Sequence, residues 1–484
     1  MTCTVTVLPE NRQISAHKGQ NLLEVLRHAG LSPDAPCGGK GTCGKCRVLI
    51  MGQSVAACRT TVSADMTVTL PNAGADTILT RGPALSLLPN PPREGYLLAI
   101  DLGTTTVAGC LMDGQTGNIL AYSSLPNPQA PFGADVISRI QAALCGQMDR
   151  LTQIIRDGLT ELTASLCAKA GCFPHQIATV SLVGNSAMQQ LFLGIRPDNL
   201  AKIPFSPVLT QAKTVAGGDY LPLWNGAQLL IVPDISGFVG ADTVACVLAT
   251  GMDRREELTL LVDIGTNGEM VLGSSGGMVA CAAAAGPALE GANIRFGMRG
   301  RPGAIDHVAI RDSRLACSVI GGGEAEGICG SGLVDAIAAA LELKLINKRG
   351  KVLTPNGKIS LTQSVYLTQE DIRQVQLAKG AIAAGIRLMA EHLGVCMEDI
   401  QQVYLAGAFG TFMDPQSACR MGLLPPELAG RIQAVGNAAL SGAGMLALDE
   451  GLLDRAQELT GRMEVLELAS LPGFRRSFAK QMEF

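Results

Sequence analysis

Four cysteines near the start of the chain, Cys37, Cys43, Cys46 and Cys58, have the residue type and spacing to hold an iron–sulfur centre. They read C-x5-C-x2-C-x11-C, the first three within the glycine-rich run Pro36-Cys37-Gly38-Gly39-Lys40-Gly41-Thr42-Cys43-Gly44-Lys45-Cys46. A [2Fe–2S] centre needs four thiolates converging on two irons. The glycines let backbone amides turn inward toward the sulfides, where they offset the negative charge of a cluster. Zinc is the alternative, but structural zinc sites usually pair two C-x2-4-C knuckles across a longer gap, and here only one tight pair exists. A disulfide framework fits less well, because fifteen cysteines in 484 residues fall far below the density of a secreted scaffold. The iron–sulfur reading makes the chain a carrier of single electrons.

A second chemistry appears further along. Leu97-Leu98-Ala99-Ile100-Asp101-Leu102-Gly103-Thr104-Thr105-Thr106 is an apolar strand, then an aspartate, then a glycine–threonine turn. Leu258 to Val262 followed by Asp263-Ile264-Gly265-Thr266-Asn267-Gly268-Glu269 repeats that plan 162 positions later, Asp101 to Asp263. Each is followed by another strand, Val107 to Met112 and Met270 to Leu272, which predicts two hairpins. Such a turn presents backbone amides and hydroxyls to phosphate oxygens, and the strand-end aspartate suits a hydrated Mg²⁺. One such hairpin is weak evidence; two in register are strong.

The elements around both sites are legible. Thr4 to Val7 and Gln13 to Ala16 predict two strands joined by a turn at Pro9-Glu10-Asn11. Asn21 to His28 reads as a helix with Leu22, Val25 and Leu26 on one face, and Arg47–Ile50 and Thr67–Leu70 as further strands. This arrangement resembles the β-grasp ferredoxins over residues 1–70. The cysteine spacing departs from the plant-type pattern and is closer to cluster loops of ferredoxin domains fused to larger redox enzymes. Residues 71–95 carry prolines at 71, 83, 89, 91 and 92 and read as a linker. Extended, it spans at most ~80 Å at about 3.3 Å per residue; it serves either as a tether or as a spacer packed along the following domain.

Two more motifs complete the second half. Val403-Tyr404-Leu405-Ala406-Gly407-Ala408-Phe409-Gly410 is an apolar strand ending in a glycine turn, and Ala434 to Gly444 runs from a strand into a small-residue helix. With these, residues 96–484 resemble the acetate kinase, sugar kinase, Hsp70 and actin superfamily. The resemblance implies a duplicated ribonuclease-H-like fold, with halves at 96–255 and 256–484 clamping ATP. It implies Asp101 and Asp263 as the metal-organising acids, Gly103, Thr104, Thr105, Thr106, Gly265, Thr266, Asn267 and Gly268 at the phosphates, and Gly407, Ala408, Phe409 and Gly410 near the nucleoside. Asp242, in Gly240-Ala241-Asp242 at the start of an expected helix, either orients the attacking water or serves as an N-cap. Gln376 and Lys379 lie three residues apart on one helix face, where related ATPases pack the adenine, or they belong to a solvated face.

The whole chain, an α/β ATPase joined to an α+β ferredoxin unit, is similar to the reductive activators of corrinoid proteins. Val183 to Met188, Leu193-Gly194, Ile203 to Pro207 and Gly327 to Gly332 also resemble that family. Longer members carry an extra segment between ferredoxin and ATPase, where this chain has only the linker. The resemblance implies a [2Fe–2S] cluster, ATP and Mg²⁺ as cofactors, an upstream low-potential electron donor, and one-electron reduction of a Co(II) corrinoid protein of a methyltransferase system to Co(I). A deficit of several hundred millivolts on one electron is roughly 5–10 kcal/mol, an ATP-sized quantity. Other readings are an activator of another metalloenzyme, a small-molecule kinase with an accessory redox domain, and a nucleotide-gated carrier without appreciable turnover. Activators of the first kind hold a [4Fe–4S] cluster between subunits; Cys281 and Cys329 lack C-x2-C spacing and read as packing residues.

Composition bounds the rest. A net charge of −4 with 17% charged residues advertises no nucleic-acid surface. No apolar run reaches the length of a membrane span, and no basic-then-apolar leader opens the sequence. A cytoplasmic protein of two or three domains is expected, with a homodimer left open.

Overall fold

The computed structural model describes residues 2–8, 11–29, 31, 33, 39, 41, 46–70 and 88–484, apart from the side chains of Ala408 and Phe409. Cys37, Cys43 and residues 71–87 lie outside them.

The N-terminal unit is built on alternation. In β1 (Thr2–Leu8) Cys3, Val5 and Val7 point into the core while the threonines between them point outward. β2 (Arg12–His17) pairs antiparallel with it, and α1 (Leu22–His28) closes the core with Leu22, Leu23, Val25 and Leu26. Asn21 caps that helix, its side chain accepting from the amides of Leu23 and Glu24. β3 (Arg47–Ile50), β4 (Gln53–Ala56) and β5 (Met66–Thr69) complete a sheet of order β2-β1-β5-β3-β4, with β1 and β5 parallel. This is the expected β-grasp arrangement, with β4 as an added strand.

The first half of the larger unit comprises β6 (Tyr96–Leu102), β7 (Thr106–Asp113), β8 (Ile119–Pro126), α2 (Val136–Ala142), α3 (Met148–Ala170), β9 (Ile177–Gly184), α4 (Ser186–Leu193), β10 (Lys213–Ala216), β11 (Gln228–Ile231) and α5 (Ala241–Thr250). The second comprises β12 (Thr259–Ile264), β13 (Gly268–Ser274), β14 (Gly277–Ala283), β15 (Ala304–Arg311), β16 (Arg314–Val319), β17 (Gly327–Ile328), α6 (Gly330–Glu342), β18 (Lys358–Ser360), β19 (Tyr366–Thr368), α7 (Gln369–Leu393), β20 (Gln402–Ala406), α8 (Gly407–Phe412), α9 (Pro415–Arg420), β21 (Ile432–Gly436), α10 (Ala438–Leu448), α11 (Gly451–Arg462), β22 (Met463–Val465) and α12 (Phe474–Gln481).

The two main sheets repeat one topology. The first reads β11-β9-β6-β7-β8 and the second β21-β20-β12-β13-β14. In each, a three-strand antiparallel meander is extended by two strands parallel to its first. β10 adds an edge to one sheet and β22 to the other. The duplication seen as a 162-residue repeat is therefore a duplication of fold. Strands β6 and β12 are apolar on both faces because helices cover both sides.

One hydrophobic core joins the halves. α5 and α10 pack against each other within it, and α10 also lies on β6 and β9. Their approach is set by Gly442, where a Cβ would stand 2.1 Å from the Ala245 carbonyl oxygen. That explains the small-residue composition of α10, which buries nearly every side chain. The last linker residues are bound to this body: the Asn90 amide donates to the Leu448 carbonyl, and Arg93 pairs with Glu450 at 2.5 Å. From Asn90 onward the spacer reading holds.

Candidate functional site

The two glycine–threonine turns face each other across the cleft between the halves. Strand pairing places the acids equivalently: Asp101 on β6 opposite Val183 of β9, and Asp263 on β12 opposite Ala406 of β20. Thr105 Oγ1 and Thr266 Oγ1, on separate turns, are 2.9 Å apart. Gly103, Thr104, Thr105, Thr106, Gly265, Thr266 and Asn267 all line the cleft, as do Asp101, Asp242, Asp263 and Gly407. Gly268 packs beneath the turn instead, where a Cβ would press on Ile382 of α7 at 2.9 Å.

The first turn is held from below by side chains that the motif does not contain. Asn127 Nδ2 donates to the Gly103 carbonyl at 2.8 Å, and Arg139 Nη2 donates to the Thr104 carbonyl at 2.6 Å. Asn185, the N-cap of α4, donates through Nδ2 to Thr104 Oγ1 at 2.9 Å. Arg139 is buried, and desolvation lowers its pKa to about 10, which still leaves it charged at neutral pH. Asn437 donates through Nδ2 to Asp101 Oδ2 at 2.8 Å while its Oδ1 caps α10. Glu290 accepts through Oε2 from both Thr105 and Thr266, at 3.2 and 3.0 Å. Sequence reasoning missed Asn127, Arg139, Asn185 and Glu290 as site residues, quoting Asn185 only in a family-like stretch and Asn437 only in the run from strand to helix. The available signal was charge isolation: Glu290 stands alone in Gly286-Pro287-Ala288-Leu289-Glu290-Gly291.

The cleft is rich in strained acids. Burial, aided by the nearby charges of Asp242 and Asp263, pushes the Asp101 carboxyl up to about 7 despite its bond from Asn437. Asp242 rises to about 7 and Asp263 to about 6, both mainly by desolvation. Glu269 on the cleft, and Asp234 buried behind it against the start of α5, are raised well above the usual range, by burial and then by Asp242. Carboxylates held this close repel one another, which adds to the rise that burial causes. Among the described residues no three such donors converge as direct metal ligands.

Asp242 is the second residue of α5, whose N-cap is Gly240, so the capping alternative does not hold. Its Oδ1 accepts from the Thr243 amide at 2.8 Å, and the side chain lines the cleft. Gly407 has φ +90°, and a Cβ there would stand 2.7 Å from Asp263 Oδ1. The expected glycine turn at 407–410 is instead the start of a short helix, α8. Gly410 lies away from the acids against Leu405, and Ala408 and Phe409 are described only as backbone.

Gln376 and Lys379 do share one face of α7, but that face is buried, not solvated. Neither lines the phosphate cleft. Gln376 Nε2 donates to the Met482 carbonyl at 2.8 Å, Lys379 Nζ donates to the Glu483 carbonyl, and the Lys379 ammonium lies 5.5 Å from the centre of the Phe484 ring. An adenine contact at these two side chains requires the 482–484 segment to move.

In the N-terminal unit Cys46 is buried just before β3, and Cys58 sits in a 3-10 turn at residues 57–59. The fold brings them together: the Cys58 amide donates to Cys46 Sγ at 3.4 Å. Gly39 and Gly41 take left-handed φ of +93° and +74°, and Arg59 Nη2 donates to the Gly41 carbonyl at 2.7 Å. An amide aimed at a cysteine sulfur suits a cluster site; Cys37 and Cys43, the other two expected ligands, lie outside the described residues. Cys281 is fully buried in β14, where burial holds its thiol protonated. Cys329 caps α6 and lies 3.3 Å from Ser331 Oγ.

Comparison with known proteins gives a consistent picture. Three family models match: a 2Fe-2S iron-sulfur cluster binding domain at residues 5–69, the RACo middle region at 96–255, and the C-terminal domain of RACo, the ASKHA domain, at 257–484. The region those models call middle is thus present, directly after the linker. The corrinoid activation enzyme RamQ of Eubacterium limosum is 35% identical over 426 residues, covering 80% of this chain and 70% of RamQ. The Co(II) methylated amine-specific corrinoid protein reductase of Methanosarcina barkeri is 28% identical over 403 residues, covering 76% and 73%. Among solved structures, a reductive activator for corrinoid, iron-sulfur protein superposes with a TM-score of 0.74 at 26% identity, covering 100% of this chain and 98% of the other. Among the described residues no helix is long and apolar enough to cross a membrane.

Proposed function

The chain belongs to the family of reductive activators of corrinoid proteins, and from that premise we propose that it reduces a Co(II) corrinoid protein of a methyltransferase system to Co(I) at the expense of ATP. The observation that carries this reading is the pairing of Thr105 with Thr266 at 2.9 Å beside three crowded carboxylates, on a chain that also carries a ferredoxin unit. Cys37, Cys43, Cys46 and Cys58 hold the cluster, which when bound supplies the single electron that converts Co(II) to Co(I). An upstream low-potential donor restores that electron.

The remaining chemistry belongs to the cleft. Asp101 and Asp263 are the residues that would hold a hydrated Mg²⁺, and the ion would supply positive charge to offset that of the ATP phosphates. The hydroxyls and amides of both turns hold the phosphate oxygens, and Arg139, Asn127 and Asn185 keep the first turn in shape by bonding its carbonyls and Thr104 Oγ1. Asp242 is a carboxylate beside these groups with a pKa of about 7, suited to orienting a water and accepting its proton as the γ-phosphate leaves to give ADP and phosphate. Because both turns belong to different halves, a change in what lies between them changes how the halves sit. That movement provides the coupling to the corrinoid partner.

The test uses anaerobic full-length protein, a chemical reductant and a Co(II) corrinoid protein. Absorbance of Co(I) should rise only with Mg·ATP present. Asp263→Ala should abolish both ATP hydrolysis and Co(I) formation and leave the cluster spectrum intact. Reduction that proceeds equally without ATP, or ATP-dependent phosphorylation of a metabolite in its place, refutes the reading.

A further inference from the structure

Glu290 reaches the cleft from a part of the chain that neither phosphate turn contains. β14 ends at Ala283, and a 3-10 turn at Pro287–Glu290 delivers the side chain. The turn is rigid: the Gly291 amide donates to the Ala288 carbonyl at 3.0 Å and the Ala292 amide to the Pro287 carbonyl at 3.1 Å. Gly291 has φ +80°, and a Cβ there would stand 2.9 Å from the Met298 carbonyl oxygen. The carboxylate is thus aimed at one place.

That place is the midpoint between the two phosphate turns. Glu290 Oε2, Thr105 Oγ1 and Thr266 Oγ1 form a closed triangle with sides of 2.9, 3.0 and 3.2 Å. Each hydroxyl has one proton to give, so two of the three sides carry donated bonds; with both protons given to the carboxylate, the 2.9 Å side is an oxygen–oxygen contact held by the shared acceptor. An anionic oxygen held by one hydroxyl from each turn is the environment that a nucleotide phosphate oxygen would need. Here the protein supplies that oxygen itself.

We propose that Glu290 is a positioning residue that occupies the anion position between the phosphate turns and holds them in register until nucleotide phosphate displaces it. This rests on the ATPase reading above and deepens it. Incoming phosphate meets two obstacles at once, the loss of both hydroxyl donors to Glu290 and repulsion from a carboxylate. Displacement frees Thr105 and Thr266 together, so the two halves register the same event. Burial raises the Glu290 pKa, opposed by the two threonine bonds and by Arg299, which agrees with a carboxylate confined for want of a better anion.

The proposal is tested with Glu290→Gln in the full chain, titrated with Mg²⁺ and a non-hydrolysable ATP analogue, and separately with Mg·ADP. The amide keeps the shape and an acceptor oxygen but not the charge. Affinity for the triphosphate should rise by about fivefold or more, the effect of removing one like charge at roughly 4 Å even with water-like screening. Glu290→Ala should shift affinity in the same direction, and Glu290→Asp should keep wild-type affinity to within about twofold by retaining the charge. A residue that merely braced the fold would lower affinity in all three variants. Unchanged or weakened triphosphate binding in Glu290→Gln overturns the proposal. So does loss of kcat with unchanged affinity, which would place Glu290 in the chemical step. If wild-type protein binds no nucleotide, the ATPase reading itself falls, an outcome separate from those two.

Discussion

Asp101→Asn should make the nucleotide-free protein more stable while destroying its ATP hydrolysis. The Asp101 carboxyl is displaced from an ordinary value of 3.8 to about 7, chiefly by burial, with Asp242 and Asp263 adding repulsion. A shift of that size amounts to about 4 kcal/mol at 1.36 kcal/mol per pKa unit. Asp101 keeps part of its surface open to cleft water and shares the repulsion with its neighbours, so about half, ~2 kcal/mol, is the expected gain. Asparagine preserves the bond from Asn437 Nδ2, because its amide oxygen accepts as the carboxylate did. The sign follows from linkage: a carboxyl with a raised folded-state pKa favours the folded state when protonated, and that stability is lost as pH rises from about 4 through 7. The advantage of Asp101→Asn over wild type therefore opens above pH 4 and levels off above pH 7. Thermal unfolding in EDTA at pH 5 and pH 8 measures it, with a gap of a few degrees at pH 8 that narrows at pH 5. Mg·ATP should reverse the order by stabilising wild type more. A mutant no more stable than wild type at pH 8, or a gap that does not depend on pH, refutes the account of the crowded acids.

Cys58→Ser should remove the visible absorption and EPR signal of the cluster and abolish Co(II) reduction, while ATP hydrolysis persists; retained spectra would remove Cys58 from the ligand set. Arg139→Met leaves the Thr104 and Gly133 carbonyls without their guanidinium donors, so nucleotide affinity should fall about tenfold or more, read by titration with the cluster spectrum as a folding control. Gly442→Leu drives a side chain into the Ala245 carbonyl that stands 2.1 Å from even a Cβ. It should cost ~3 kcal/mol or more, seen as a lowered unfolding midpoint of the ATPase unit.

The legible parts of this molecule are those written contiguously. Cysteine spacing, the apolar strands and the aspartate–glycine–threonine turns are local patterns, and the structure keeps the last two as strand–turn–strand hairpins. The duplicated sheet order could be inferred because two such patterns recur at a fixed offset, and repetition at one level of description carries over to the next. Strand β4 and the helical start at Gly407 were harder, since four residues of mixed polarity and a glycine-rich run satisfy several local structures equally. Gln376 and Lys379 were read to the correct helix and face, yet their surroundings were not, because the chain that covers them is about a hundred residues away.

Glu290 and Arg139 show why the remainder of the site escaped. Neither belongs to a recurring pattern, and each acts on a turn that lies far off in sequence: Arg139 on Thr104, Glu290 on Thr105 and Thr266. What draws them in is electrostatic need. A turn that concentrates carbonyls at its base calls for a cation, and two facing hydroxyls at the proposed phosphate position call for an anion. A buried charge is costly unless hydrogen bonds or an opposite charge offset it; Arg139 is met by the Thr104 and Gly133 carbonyls, and Glu290 by two threonine hydroxyls and the nearby charge of Arg299. The arginine lies against the carbonyls of the first turn, and the glutamate lies between the two turns, at the place proposed for phosphate. The site is thus already arranged for a polyanion, and the free energy of its arrival is spent on separating Glu290 from two halves of the protein at once.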